Sequence, residues 1–442
     1  MGFNMKQTTY IATLCGLLLS LMSPGAMASQ PASEALNWLL DSAVKHDLSL
    51  QQSRQSEQAL NSQQAAVSRL PDPRVSLSVL NVPTDGFALN EQAMTQLKVG
   101  VSQMLPRGDS VALQRQQIAT QASAEPLRRL NREWELRRDI QLTWTEWLIA
   151  AQSAALIQAQ QQVVSQLSDA IENSYAASSG PSQYDVLSSD VLALALEDRL
   201  DTALTSQQTA QAKFTLWLPD ALHQQLSYLS PADSDTQWLT AKQWYAQRAI
   251  SDADRIALLQ QHPSVRLKNT QIETQRIKQQ QVTESFEPQW EVNAGYAYRQ
   301  DDTANRSRAD FVSVGVSVDV PLFSRAHHRP AISATVQQAE SIETEKRWLI
   351  QQQLSEVEQL YAQWQGLNRR YTRYRDALLP LQQQQYDAAL NAYTSADGDF
   401  LAVLQSHIAL LDAQLKQLSI QGEMAKLGIK LAYYLPAQAT QE

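Results

Sequence analysis

Two hydrophobic patterns alternate along this chain. The first is helical. Between Gly108 and Gly180 there is no glycine, and Pro126 is the only proline. Apolar positions recur there at helical spacing, as at Leu136, Ile140, Trp144, Trp147 and Leu148. A helix over about 109–176 would be about 100 Å long at the usual rise per residue. That exceeds what a globular core needs and implies a coiled-coil-like assembly. The same signature returns over about 326–394, and shorter helical stretches are predicted over about 49–70, 183–217, 264–285 and 400–434. The second pattern has period two. Trp290, Val292, Ala294, Tyr296 and Tyr298 alternate with Glu291, Asn293, Gly295, Ala297 and Arg299. Val312, Val314, Val316, Val318 and Val320 alternate with Ser313, Gly315, Ser317 and Asp319. Val75, Leu77 and Val79, then Leu97, Val99 and Val101, repeat the pattern more weakly. Strands are thus predicted at about 73–82, 95–106, 289–299 and 310–321. Such alternation marks a membrane barrel strand, apolar to lipid and polar to the lumen; a soluble sandwich strand with one wet face carries the same signal.

The two patterns occur twice in the same order. Val99-Gly100-Val101-Ser102 leads to Pro106, and Val314-Gly315-Val316-Ser317 leads to Pro321. Pro73 meets Pro288, Tyr175 and Gly180 meet Tyr393 and Gly398, Leu218-Pro219 meets Leu435-Pro436, and His46 meets His262, all at nearly constant offset. A fixed order of landmarks reads as duplication. The expected division is a repeat over 29–219, an equatorial linker over 220–249, a second repeat over 250–436 and a tail over 437–442. The two shorter helices of each repeat, stacked end to end, approach the length of the long one and could lie alongside it.

Residues 1–28 read as a secretory signal: Lys6, an apolar stretch from Tyr10 to Met22, the Pro24-Gly25 break, and Ala26-Met27-Ala28 before Ser29. Removing them takes away Cys15, the only cysteine, so no thiol, disulfide or thiolate metal ligand is expected in the mature chain. No later stretch is apolar for long enough to cross a membrane as a helix. Across 442 residues the formal net charge is −9, and Gly numbers only 13. The acidic balance argues against a nucleic-acid partner, and the scarce glycine against turn-dense all-β folds.

An exported chain without an apolar helix can enter a membrane only through strands. Four strands cannot close a lipid-facing barrel, and single-chain barrels have at least eight. Three copies would supply twelve, enough for an open lumen. The expected fold class is therefore an α+β membrane protein: a long α-helical barrel plus four strands per chain, contributing to a shared 12-stranded trimeric transmembrane β-barrel, with an internal two-fold sequence repeat. The function read from this physics is a passive conduit.

The two-copy plan, Pro71-Asp72-Pro73, the stretch at 99–103, Pro321-Leu322-Phe323 and the Tyr…Gly…Val-Leu tips resemble TolC-like outer membrane efflux proteins. The resemblance covers almost all of the mature chain. It implies a homotrimer in the outer membrane of a Gram-negative bacterium with a large periplasmic extension. The implied partners are a periplasmic adaptor (membrane fusion) protein, an inner-membrane pump of the resistance-nodulation-division type, and outer membrane lipid. Leu70-Pro71-Asp72-Pro73, Asn81-Val82-Pro83, Met94-Thr95 and Ser102-Gln103-Met104-Leu105-Pro106 are most similar to channels of heavy-metal efflux systems, copper–silver or cobalt–zinc–cadmium, against drug or organic-solute efflux or type I polypeptide secretion. A secreted coiled-coil structural protein is the alternative of a different class; the alternating strands argue against it.

The resemblance places the turns around Gly180 and Gly398 at the periplasmic tip. Asp185, Asp190, Asp397 and Asp399 beside them are the pore or gate candidates, because rings of carboxylates select cations; helix capping competes as their role. Acidic residues that the family often carries near Val403-Leu404 are replaced by Ala402 and Gln405. The lipid-facing candidates are Trp290, Val292, Tyr296, Tyr298, Val312, Val314, Val316 and Val318, with Trp290, Tyr296 and Tyr298 in an aromatic belt. His327 and His328 suggest a metal site only weakly, since adjacent histidines diverge on a helix; a basic collar with Arg325 and Arg329 fits better. His46 and His262 are expected to cap helices. No nucleophile–base pair, phosphate loop or zinc spacing appears, so neither enzyme nor cofactor is expected.

Overall fold

The computed structural model describes residues 32–67, 70–177, 182–226, 251–304, 306–322, 325–395 and 399–435. The elements are α1 (Ala32–His46), α2 (Leu48–Val67), β1 (Arg74–Leu80), β2 (Gln96–Met104), α3 (Ser110–Ala176), α4 (Gln183–Lys213) and α5 (Asp220–Leu226). They continue with α6 (Asp252–Gln261), α7 (Pro263–Glu284), β3 (Gln289–Tyr298), β4 (Phe311–Asp319), α8 (Arg325–Arg373), α9 (Leu379–Thr394) and α10 (Phe400–Tyr434). The signal stretch, most of the linker, the tail, Gly180, Asp397 and Gly398 lie outside the described residues.

The 67 residues of α3 make a rod about 100 Å long. Ala, Gln, Leu and Glu dominate it, all good helix formers, and Pro126 is absorbed within it. Both α2 and α4 pack on α3. The first contact is fixed by Ser53, whose Oγ donates to Glu125 Oε2 at 2.8 Å, and by Arg132 against Asp47 at 2.9 Å. The second is fixed by Lys213 against Glu146 at 2.8 Å. In the second half, α7 packs on α8 as well as on α3, and α10 packs on α3, α8 and α9.

Three large apolar clusters among the described residues hold this layer. At one level α1 closes over α3 and the end of α4, where Trp144 and Trp147 meet edge-on at 5.0 Å and Phe214 stands perpendicular to Trp147 at 6.1 Å. Leu39, Ala43 and Ile140 complete that cluster, each fully buried. A second joins α3, α4 and α10 through Ile157, Ile171, Leu196 and Leu411. A third joins α6, α8 and α10 through Leu259, Trp364 and Met424.

The fold departs from the sequence expectations at three places. The long helix of the second half is not continuous: a π turn at Tyr374–Leu378 separates α8 from α9. Pro380 explains it. Proline has no N–H for the carbonyl four residues back and its ring collides with that carbonyl, so the ladder slips to a five-residue bond, Leu379 N–H to Tyr374 O. Part of the linker is structured, since α5 places Leu226 in the Trp144 cluster. Finally, the cap of α2 is Asp47, whose Oδ1 accepts from Leu50 N at 2.9 Å, while His46 ends α1 with Nδ1 on Ser42 O at 2.8 Å. His262 does cap α7, its Nδ1 accepting from Ser264 N at 3.3 Å.

Candidate membrane face and channel lining

The four strands form one antiparallel sheet in the order β1-β2-β3-β4. Directly paired residues point to the same side of a sheet, and neighbours along a strand to opposite sides. The register therefore sorts the side chains. On one face the rows are Val79–Leu97–Tyr298, Leu77–Val99–Tyr296–Val312, Val75–Val101–Ala294–Val314, Gln103–Val292–Val316 and Trp290–Val318. This face is apolar throughout except for Gln103. It is also uncovered: Leu77 is 71% exposed and Val314 76%. Trp290 and Tyr298 lie eight residues apart on β3, about 27 Å along the strand. A tilt of about 40° reduces that to about 21 Å, close to the apolar band of an outer membrane barrel.

The opposite face is polar and small. Its central rows are Ser78–Lys98–Ala297–Phe311, Ser76–Gly100–Gly295–Ser313 and Arg74–Ser102–Asn293–Gly315. Close approach explains the glycines. A Cβ on Gly100 would stand 2.7 Å from Ser76 Oγ, and one on Gly315 2.7 Å from Asn293 Oδ1.

Arg107 clasps the sheet to the helices. Its Nη1 donates to Ser285 O at 2.8 Å, its Nε to Gln289 Oε1 at 3.3 Å, and its Nη2 pairs with Asp319. Next to it, Gly108 turns the chain from β2 into α3 at φ +42°, a conformation that favours glycine. Glu284 fills the space a side chain would need, its Oε2 lying where a Cβ would go, and accepts from Asp109 N at 3.1 Å.

At the other end of the rods, the carboxylates beside the turns act as caps. Asp185 forms a reciprocal box with Ser182: Ser182 N donates to Asp185 Oδ2 at 2.7 Å, and Asp185 N to Ser182 Oγ at 3.4 Å. Asp399 caps α10, accepting from Leu401 N at 3.2 Å. Asp190 is exposed on α4. Along the same part of α4, Tyr184, Leu187, Val191 and Leu194 form an exposed apolar stripe at helical spacing.

No family model matches the sequence, and no curated protein does. Solved structures do match along nearly the whole chain. CusC, whose structures concern folding and transmembrane channel formation, is 13% identical, with 94% of this chain and 95% of CusC aligned at a TM-score of 0.70. The outer membrane protein VceC of Vibrio cholerae is 16% identical over 91% of this chain and 96% of VceC, at 0.68. The open-state outer membrane channel MtrE of Neisseria gonorrhoeae is 12% identical over 90% and 88%, at 0.68. The fold is that of the TolC-like outer membrane channels.

Within this channel fold the sheet gathers all eight apolar strand candidates on one face, while the tip carboxylates stand apart from it at the far end of the rods. His327 and His328 begin α8; His328 packs edge-on against Phe286 at 4.4 Å. No cluster of three or more metal-ligating side chains occurs among the described residues, and none of their helices is long and apolar enough to cross a membrane.

Sequence reasoning missed a buried aromatic cluster where α6 meets α7. His262 lies between Trp134 at 5.3 Å and Tyr433 at 4.9 Å, with the Arg138 guanidinium 4.4 Å from the Tyr433 ring. Burial drives the His262 imidazole down to about 4, and burial with nearby carboxylates lifts the Tyr433 phenol to about 12. The only available signal was the His-Pro pair at 262–263, which marks a helix start. Arg107 carried none, since its partners lie far away along the chain.

Proposed function

We propose that this chain is the outer membrane channel of a tripartite export pump, a homotrimeric duct from periplasm to exterior. The observation that carries the reading is the sheet: one face is apolar and bare, and both edge strands, β1 and β4, lack a partner among the described residues. Open edges cannot stand in hydrocarbon, so further copies must close them, and three copies give twelve strands. The exposed stripe on α4 and Leu381, 60% exposed on α9, are surfaces that neighbouring copies would cover. The matching order of elements in the two halves fits an internal duplication, and residues 1–28 serve as the export signal. The rods would then continue the lumen into the periplasm and meet an adaptor and an inner-membrane pump at the tip. There Asp185, Asp190, Asp397 and Asp399 would each recur three times around the opening.

For cargo, the resemblance at 70–106 supports heavy-metal cations. The lumen-side Lys98 favours a second reading, organic solutes. The protein should fractionate with the outer membrane and run as a heat-labile trimer. Loss of the gene should lower tolerance to copper, silver, zinc, cobalt or cadmium; raised dye or drug sensitivity with unchanged metal tolerance selects the second reading. Recovery as a soluble periplasmic monomer would overturn the channel itself.

A further inference from the structure

The polar face of the sheet carries two cations in its middle rows, Arg74 on the edge strand β1 and Lys98 on the inner strand β2. Lys98 lies on β2, opposite Ala297. Its stem does not project freely but lies across β3: a Cβ on Gly295 would meet Lys98 Cε at 2.7 Å and Ser313 Oγ at 3.1 Å. The absence of a side chain at Gly295 thus makes the groove in which the lysine stem rests, and the ammonium is held beside the small row of Gly100, Gly295 and Ser313. The ammonium has no hydrogen-bond or ion-pair partner among the described residues. The carboxylates on this face of the four strands are Glu291 and Asp319. Asp319 is already paired with Arg107. Glu291 lies two rows from Gly295, about 14 Å away at the usual strand rise, beyond the Debye length of about 8 Å at physiological salt.

We propose that Lys98 is a specificity-determining residue of the barrel lumen, a ring of three ammonium groups that favours anionic solutes over cations at the level of Gly295. The proposal rests on the trimeric barrel described above. It deepens the organic-solute reading and identifies the cargo class as molecules bearing carboxylate, sulfonate or phosphate groups.

The test uses thiol probes in the full-length trimer. Cys15 is the only cysteine and lies in the leader stretch, so Ser313→Cys introduces a single thiol on the polar face beside Lys98, and Val314→Cys one on the apolar face. Two small methanethiosulfonates, one sulfonate and one trimethylammonium, are applied to the purified trimer in lipid vesicles. Ser313→Cys should react readily and Val314→Cys slowly with both reagents. The sulfonate-to-ammonium rate ratio at Ser313→Cys should fall about twofold when Lys98→Gln is added, the size expected of one charge at about 7 Å in screened water. An unchanged ratio with the face difference preserved overturns the Lys98 proposal alone. Equal reactivity of both thiols, or no reaction at Ser313→Cys, removes the water-filled barrel and the proposal with it. Sensitivity of the ratio to Lys98→Gln but not to Lys98→Arg completes the support.

Discussion

A charge placed on the bare face of the sheet should be costly in proportion to its depth. Val314 occupies the middle of the five apolar rows, paired with Ala294, whereas Val318 occupies the last row beside Trp290. An arginine at the midplane of a lipid-facing strand costs about 2–4 kcal/mol, falling to about 0–1 near the interface. Val314→Arg enters a trimer three times, so the assembled barrel should lose about 6–12 kcal/mol by the same scale. Val318→Arg should lose at most about 3 in total. Ser317→Arg supplies the control: it points to the polar face, directly opposite Glu291, and gains an oppositely charged cross-strand neighbour. The assay is the fraction of heat-labile trimer recovered from outer membranes, followed by urea unfolding in vesicles. Val314→Arg should abolish assembled trimer, Val318→Arg should reduce it modestly, and Ser317→Arg should leave it intact. Equal yields of Val314→Arg and Ser317→Arg would refute the assignment of the two faces.

Two further outcomes follow from the helical half and its junction. Because the folded His262 imidazole sits near 4 while a free one sits near 6.5, the unfolded state binds protons more readily; stability should be constant above about pH 6.5 and fall by about 3 kcal/mol towards pH 4. His262→Asn keeps a capping side chain without the titration, so helical melting between pH 7 and 4.5 should be flatter than in the parent; identical slopes would remove His262 as the source. Gly108→Ala requires an unfavourable positive φ and displacement of Glu284, which should cost about 1–3 kcal/mol and lower the melting temperature; an unchanged melt would show that the turn relaxes freely.

What could be read from the sequence was whatever repeats locally. The alternation at 312–320 reflects two faces in different surroundings, and β4 occupies Phe311–Asp319. The glycine-free run after Gly108 reflects a backbone held helical turn after turn, and α3 occupies Ser110–Ala176. Features made by distant partners were not legible. Arg107 and Asp319 are 212 residues apart, and neither sits in a motif. The π turn depends on a single proline, and Pro126 shows that a proline can instead be absorbed by a long helix. Landmark matching aligned His46 with His262, yet capping belongs to whichever side chain reaches the free N–H groups, and at the first site that is Asp47. For the tip, spacing located Asp185 and Asp399, but it could not tell a carboxylate engaged in capping from one facing a pore.

The unpaired edges at β1 and β4 have a genetic consequence. In the proposed trimer each copy offers two different edges to two different neighbours, so a lesion on either edge spoils a joint in any ring that contains it. A cell making equal amounts of intact and edge-defective chains, assembled at random, would build intact trimers only about one time in eight. Edge lesions should therefore behave as dominant in the proposed trimer, while lesions that keep a chain from being made at all should be recessive.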